Sequence, residues 1–162
     1  MPVIHSPLSQ SSYRQVLGRF ATGVTAVTAY GDQPIGLTVN SFTSVSLDPP
    51  LVSFCVNNAS RSWPAVRAAG RLCVNILGQD QRNICAQFAA SAGERFQDVD
   101  WTPAPDGSPI LTGAIAWLNG SIYAEHAAGD HVIVVVHVER LAEQADKPPL
   151  VLFRGQFAEF RT

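Results

Sequence analysis

Between Val24 and Val56 the chain offers four extended segments with no helix to separate them. Val24 to Tyr30 alternates β-branched and small residues, and Ile35 to Phe42 resumes that pattern after the turn residues Gly31-Asp32-Gln33-Pro34. Thr43 to Leu47 and Leu51 to Val56 follow, divided by Asp48-Pro49-Pro50, because consecutive prolines cannot donate to a central ladder. Val24 to Phe42 therefore reads as a hairpin.

The rest of the chain adds helices without restoring a strand–helix alternation. Tyr13, Val16, Leu17 and Phe20 recur at helical spacing behind Ser11 and Ser12, which predicts a first helix ended by Gly23. Ser62 is placed to cap a short helix through Ala69, with Pro64 in its first turn and Gly70 closing it. Leu72 to Leu77 reads as a strand, and Asp80 is placed to cap a helix carrying Ile84, Cys85 and Phe88 on one face. Ala90 to Ser108 reads as a long loop, of the kind that often carries function. Strands are then expected near Ile110 to Glu125, His131 to Leu141 and Leu150 to Phe160, with Ala127-Ala128-Gly129-Asp130 as a hairpin turn. The order is helix, four strands, helix, strand, helix, three strands. It predicts a mainly β fold, a mostly antiparallel β-barrel with a few helices. A length of 162 residues fits one domain over residues 1–162, with 1–9 as a flexible N-terminal segment.

Composition narrows the class of function. The chain is 46% hydrophobic and 15% charged, which points to some surface being covered by a second copy. A net charge of −2 without a basic cluster argues against nucleic-acid binding. Cys55, Cys73 and Cys85 are odd in number, far apart and without a C-x-x-C, as expected of reduced thiols in the cytoplasm. The first residues read neither as a secretory leader nor as a membrane span, and no later stretch is apolar enough to cross a bilayer. Rossmann, P-loop and hydrolase-elbow glycine patterns are absent. His126, His131 and His137 have no Cys or carboxylate at ligand spacing, so no metal site is expected.

Chemistry gathers instead from Gly36 to Val52, where Thr38, Asn40, Ser41 and Ser44 put small hydroxyl and amide groups on extended backbone. Such a rim can bond the carbonyl and imide edges of a flat heteroaromatic ring. The same residues also suit a half-exposed strand pair, the plainer reading on chemistry alone. Ser60 and Ser62 precede a predicted helix, where an anion is favoured and Arg61 or Arg67 could add charge; ordinary capping by Ser62 explains them equally well.

The stretch Gly36–Val52 closely resembles the signature of the flavin reductase family. The likeness continues through Asn57-Asn58-Ala59-Ser60-Arg61-Ser62, Leu72-Cys73-Val74-Asn75-Ile76-Leu77, Gln87-Phe88-Ala89 with Arg95-Phe96, Gly129-Asp130-His131 and Leu152-Phe153-Arg154-Gly155. It departs from the common pattern at Leu37, where methionine is frequent, and at Ser62, where threonine is usual. The resemblance implies a homodimeric flavin-binding split β-barrel, an NAD(P)H:flavin oxidoreductase that passes hydride from NADH or NADPH to FMN or FAD. Reduced flavin then diffuses to a separate monooxygenase. By the same resemblance Thr38, Val39, Asn40, Ser41 and Ser44 line the isoalloxazine, with Phe88 among the flavin contacts. Asn57, Ser60, Arg61 and Ser62 lie along the ribityl and phosphate. His131 stands beside the nicotinamide, and Arg154 serves the dinucleotide or the flavin site across the dimer, with a plain salt bridge as its competitor. Trp63 is expected over the phosphate end or the adenine of an extended flavin. NADH is expected over NADPH, because no arginine pair for a 2′-phosphate stands out. The alternatives are a non-catalytic flavin- or haem-binding protein of the same fold and a dimeric interaction protein without a ligand.

Overall fold

A computed structural model of the chain describes residues 1, 3–90 and 92–159. Helix α1 (Gln10–Leu17) starts one turn before its apolar residues, because Ser9 and Ser12 bond reciprocally as a capping box. It ends at Gly18 rather than Gly23, which leaves Phe20 outside and frees Thr22–Gly23 to pair as β1. Strands β2 (Thr25–Tyr30), β3 (Pro34–Val39), β4 (Thr43–Leu47) and β5 (Pro50–Asn57) follow in the expected order. Then come α2 (Trp63–Ala69), β6 (Arg71–Ile76), a 3-10 turn (Gln79–Gln81) and α3 (Arg82–Ala89). Asp80 does not cap α3: it sits within the 3-10 turn and bonds Lys147 at 2.8 Å.

The expected loop from Ala90 contains a 3-10 turn (Ala92–Glu94) and strand β7 (Trp101–Pro103), which pairs with β8 (Pro109–Leu111). The expected strand from Ile110 to Glu125 is therefore two strands, β8 and β9 (Ala116–Ala128), separated by a turn with Gly113 at φ 85°. β9 and β10 (His131–Glu143) form a long hairpin through Gly129 at φ 65°, a backbone conformation glycine adopts freely. The last third ends in a second hairpin, β11 (Val151–Phe153) and β12 (Gln156–Ala158), where one strand was expected. Phe160, the expected end of that strand, lies outside the described residues.

Seven strands form one antiparallel sheet in the order β3-β2-β6-β9-β10-β5-β4. Its edges are β3 and β4, consecutive in sequence, so the link Asn40–Phe42 must run from one edge of the sheet to the other. The sheet curls to allow this. Ser41 Oγ accepts from the Cys55 N–H at 2.8 Å and donates to the Cys55 carbonyl at 3.2 Å, tying the link to β5.

Alternation on β5 sends Val52, Phe54 and Val56 inward, where they meet Val27, Leu72, Val74, Val134 and Val136. Trp63 joins this core: it is only 7% exposed and meets Phe54 edge-on, so it does not cover a ligand. A second core, with Val24, Ala26, Leu77, Ile84, Phe88 and Leu150, lies on the other side of β2. Asn75 joins the pieces, donating to the Ala26 and Pro109 carbonyls and accepting the Leu111 N–H at 2.8 Å. Those bonds satisfy a fully buried amide that would otherwise be costly.

Candidate functional site

On the face of β3 opposite Leu37 and Val39 stand Gly36 and Thr38, and Asn40 follows directly after the strand. Gly36 is required there: a Cβ would lie 2.5 Å from the Phe88 ring, so its absence lets α3 pack directly on the strand. This close approach makes one side of a groove of about 620 Å³. Thr38, Val39, Asn40 and Ser41 line it from β3 and the link; Phe88, Ala89 and Ala90 line it from the end of α3. Leu37, Cys55, Val56, Asn57, Ser60, Arg61, Ser62, Arg95 and His131 complete it.

The segment after β5 is pinned from two directions. Asn58 N–H donates to the Asp130 carbonyl at 2.9 Å, and the Asn57 side chain accepts the Ala59 N–H at 2.8 Å. His131 is the direct partner of Asn57 in the β5–β10 register, which explains how residues far apart in sequence share one rim. Asp130 Oδ1 lies 2.7 Å from His131 Nδ1, leaving Nε2 as the ring nitrogen available to a ligand. The Asp130 carboxyl is held below its ordinary range, first by that hydrogen bond and then by the charge of the imidazole.

Ser62 departs from the capping role. Its side chain makes no cap bond, and Ser60 Oγ instead accepts the Trp63 N–H at 3.3 Å. Ser62 Oγ accepts from Arg95 Nη1, while Arg95 Nε donates to the Ala90 carbonyl at 3.0 Å. Arg95 is 8% exposed and lines the groove, and among the described residues no carboxylate pairs with it. A buried guanidinium with only neutral partners is poised for an anion. Arg67 is not: it points to Glu125 at 2.7 Å.

Two residues named from the sequence lie elsewhere. Ser44 is on β4, opposite Val52, because the chain has already crossed to the far edge of the sheet. Arg154 occupies the β11–β12 turn and lines a second cavity that meets the groove at Asn40 and Ser41. The Ser41 hydroxyl is taken up by β5 backbone, so in this link the free polar side chain is Asn40. Cys55 and Arg95 were absent from the expected site. His126 stands opposite Ile133 and His137 opposite Ser121 in the β9–β10 register, and no metal-sized cluster of His, Cys, Asp or Glu exists among the described residues.

Fold and groove together define an antiparallel β protein that can hold a flat, polar-edged ring with an anionic extension. Comparison with known proteins gives that class its family. Residues 17–161 match the family described as flavin reductase like domain, and the chain belongs to it. The reductase subunit HsaB of a flavin-dependent monooxygenase from Rhodococcus jostii is 43% identical over 146 residues, covering 90% of this chain and 75% of that protein. The FMN reductase (NADH) SmoA of Agrobacterium fabrum is 43% identical over 150 residues, covering 92% and 85%. In structure, the NADH:FAD oxidoreductase SgcE6 of Streptomyces globisporus aligns over 100% of this chain and 99% of its own, with a TM-score of 0.93 and 33% identity.

Proposed function

We propose that the chain is an NAD(P)H-dependent flavin reductase that delivers diffusible reduced FMN or FAD to a partner monooxygenase. The observation that carries the reading is the unpaired, buried Arg95 beside Ser60, Arg61 and Ser62 in a groove whose other walls are Thr38, Asn40 and the Phe88 face. That combination fits a phosphorylated flavin: a cationic, hydroxyl-rich seat for the phosphate and a shallow polar wall for the ring.

Bound together, the two substrates supply the chemistry, hydride moving from nicotinamide to flavin. The chain's residues orient. Thr38 and Asn40 meet the polar ring edge, and Ser60, Arg61, Ser62 and Arg95 hold the phosphate. His131, aligned by Asp130, presents Nε2 to the nicotinamide carboxamide. Among the described residues no serine or cysteine of the groove hydrogen-bonds His131, consistent with a reaction that asks mainly for position.

The finer architecture belongs to the same reading. The curled sheet is a split β-barrel, closed by the Ser41–Cys55 link. The working protein is a homodimer, supported by Val45 and Leu47 standing exposed on edge strand β4, Leu47 at 95%. It is cytoplasmic, in keeping with three free cysteines; no helix among the described residues is long and apolar enough to cross a membrane. NADH is the preferred donor.

The test is anaerobic mixing of purified protein with NADH or NADPH and either FMN or FAD. Catalytic loss of oxidised-flavin absorbance is expected, fastest with NADH. A tightly held flavin or haem with no dinucleotide turnover would replace this proposal with the non-catalytic binding protein.

A further inference from the structure

The phosphate end of the groove is built of donors. Ser62 Oγ accepts from Arg95 and Ser60 Oγ accepts the Trp63 N–H, so each hydroxyl keeps its own proton for a ligand. Arg95 uses Nε on the Ala90 carbonyl and one Nη1 proton on Ser62, which leaves the other Nη1 proton and both on Nη2 without a partner among the described residues. Arg95 and Ser62 are 8% and 6% exposed, so donors left unmet there are costly. Charge is equally one-sided. Arg61 and Arg95 both line the groove, whereas among the described residues no Asp or Glu lines it and none pairs with either arginine.

Such a seat discriminates between kinds of phosphate. A phosphate monoester near neutral pH carries about −1.5 to −2 charge and three acceptor oxygens. Two arginines and two hydroxyls match it in charge and in donors. A phosphate esterified on both sides, like the inner phosphate of FAD, has one acceptor oxygen fewer and a single charge, and it leaves a buried donor unmet.

The surroundings offer an adenylate half little at this end. Trp63 follows the seat in sequence but is buried against Phe54, so it is no platform for an adenine. Two cavities adjoin the groove, of about 830 and 240 Å³, and they share with it only Thr38, Val39, Asn40 and Ser41. Those residues belong to the ring wall. Neither cavity includes Ser60, Arg61, Ser62 or Arg95 in its lining.

The geometry points to a seat selective for a terminal phosphate monoester, with Arg95 as its specificity-determining residue, so that this chain takes FMN in preference to both FAD and riboflavin. The inference rests on the flavin reading of the groove for its choice of ligands. Binding of oxidised flavins without a dinucleotide tests it apart from turnover.

Calorimetric titration of FMN, FAD and riboflavin into the full-length protein is the primary measurement, repeated on Arg95→Gln and Arg61→Gln. FMN is expected to bind the wild type about tenfold or more tightly than FAD, the worth of one charge-assisted contact, and riboflavin more weakly than FMN by at least as much. Arg95→Gln should lower FMN affinity more than FAD affinity, so that the two draw level. Arg61 is exposed, so Arg61→Gln keeps the fold, and it should narrow the ratio by a smaller factor because water screens its contact. The wild type supplies a further readout. The monoester gains a proton below about pH 6 and the FAD diphosphate does not, so acid should bring the FMN-to-FAD ratio toward unity. Any contribution of His131 is common to both complexes and cancels in that ratio. FAD bound as tightly as FMN or more tightly overturns the inference, and so does a ratio that neither acid nor the variants change. If Arg95→Gln fails to fold, Arg61→Gln and the acid dependence of the wild type decide. A protein that prefers FMN yet oxidises neither NADH nor NADPH refutes the reductase reading and leaves the selectivity standing; one that turns over NADH with FAD bound more tightly does the reverse.

Discussion

Gly36→Ala is the substitution that most directly probes how the groove is built. The new methyl would stand 2.5 Å from Phe88 Cε2, 2.8 Å from Cζ and 2.9 Å from Cδ2. Carbon atoms rest at about 3.5–4.0 Å, so the ring must retreat by about 1 Å. It has little room: Phe88 is buried, and the Phe96 ring stands 5.0 Å away, centroid to centroid. Overpacking of this kind costs about 1–3 kcal/mol, against which the lower backbone entropy of alanine in a strand returns about 0.5–1. At about 2–4 °C per kcal/mol for a domain of this size, the melting temperature should fall by a few degrees. Flavin affinity should fall with it, since Phe88 lines the groove. The discriminating experiment is a double-mutant cycle with Phe88→Ala, read by urea denaturation without ligand. Phe88→Ala alone should cost about 3–5 kcal/mol, and adding Gly36→Ala to it should cost nothing further, because the clash has gone. If Gly36→Ala destabilises both backgrounds equally, within about 0.5 kcal/mol, the packing account is wrong.

Other consequences follow from single features. Arg95→Gln should weaken FMN binding about tenfold or more while leaving riboflavin, which lacks the phosphate, nearly unaffected; equal losses in fluorescence titrations would remove Arg95 from the phosphate. Burial, helped by the charge of Asp106, pushes the Cys73 thiol up to about 12, so alkylation of native protein at mildly alkaline pH should spare it until the chain unfolds, as peptide mapping would reveal. For Asp106, burial opposes ionisation, but hydrogen bonds from Asn119 and Ser108 and the Arg71 charge outweigh it and hold the carboxyl below its ordinary range. Its contribution to stability is therefore complete above the unfolded-state value of about 3.9 and is lost as pH falls through the lower folded value. Asp106→Asn should unfold with a shallower dependence on pH in that acid range, and an unchanged slope would refute this assignment.

The sequence disclosed the fold where local chemistry and tertiary demand agreed. From Thr25 to Asn57 the alternation, the turn at Gly31 and the prolines at Pro49 and Pro50 all favour the strands that form. Legibility failed where long-range partners decide. Ser62 has the residue type and position of a cap, yet its hydroxyl serves Arg95, 33 residues on, a partner no local pattern announces. Asp80 was drawn to Lys147 in the same way, 67 residues away. The first helix forms where Tyr13, Val16 and Leu17 predict it, but its bounds are set by the Ser9–Ser12 capping box and Gly18, and those three residues remain exposed, so periodicity did not report burial in this chain. Within the site, the groove gathers Thr38, Val39, Asn40, Ser41, Asn57, Ser60, Arg61, Ser62, Phe88 and His131 from the residues named beforehand. Arg95 enters the sequence reading only within the family likeness and without a role, because it stands in a stretch that reads as loop and its burial shows only in three dimensions.

A crystal structure with FMN bound tests the account most directly. The expected density places the phosphate against Ser60, Ser62 and Arg95, with the ring along Thr38 and Asn40 and its open face toward His131. Flavin seated anywhere else, or a phosphate that leaves Arg95 unmet, would contradict it.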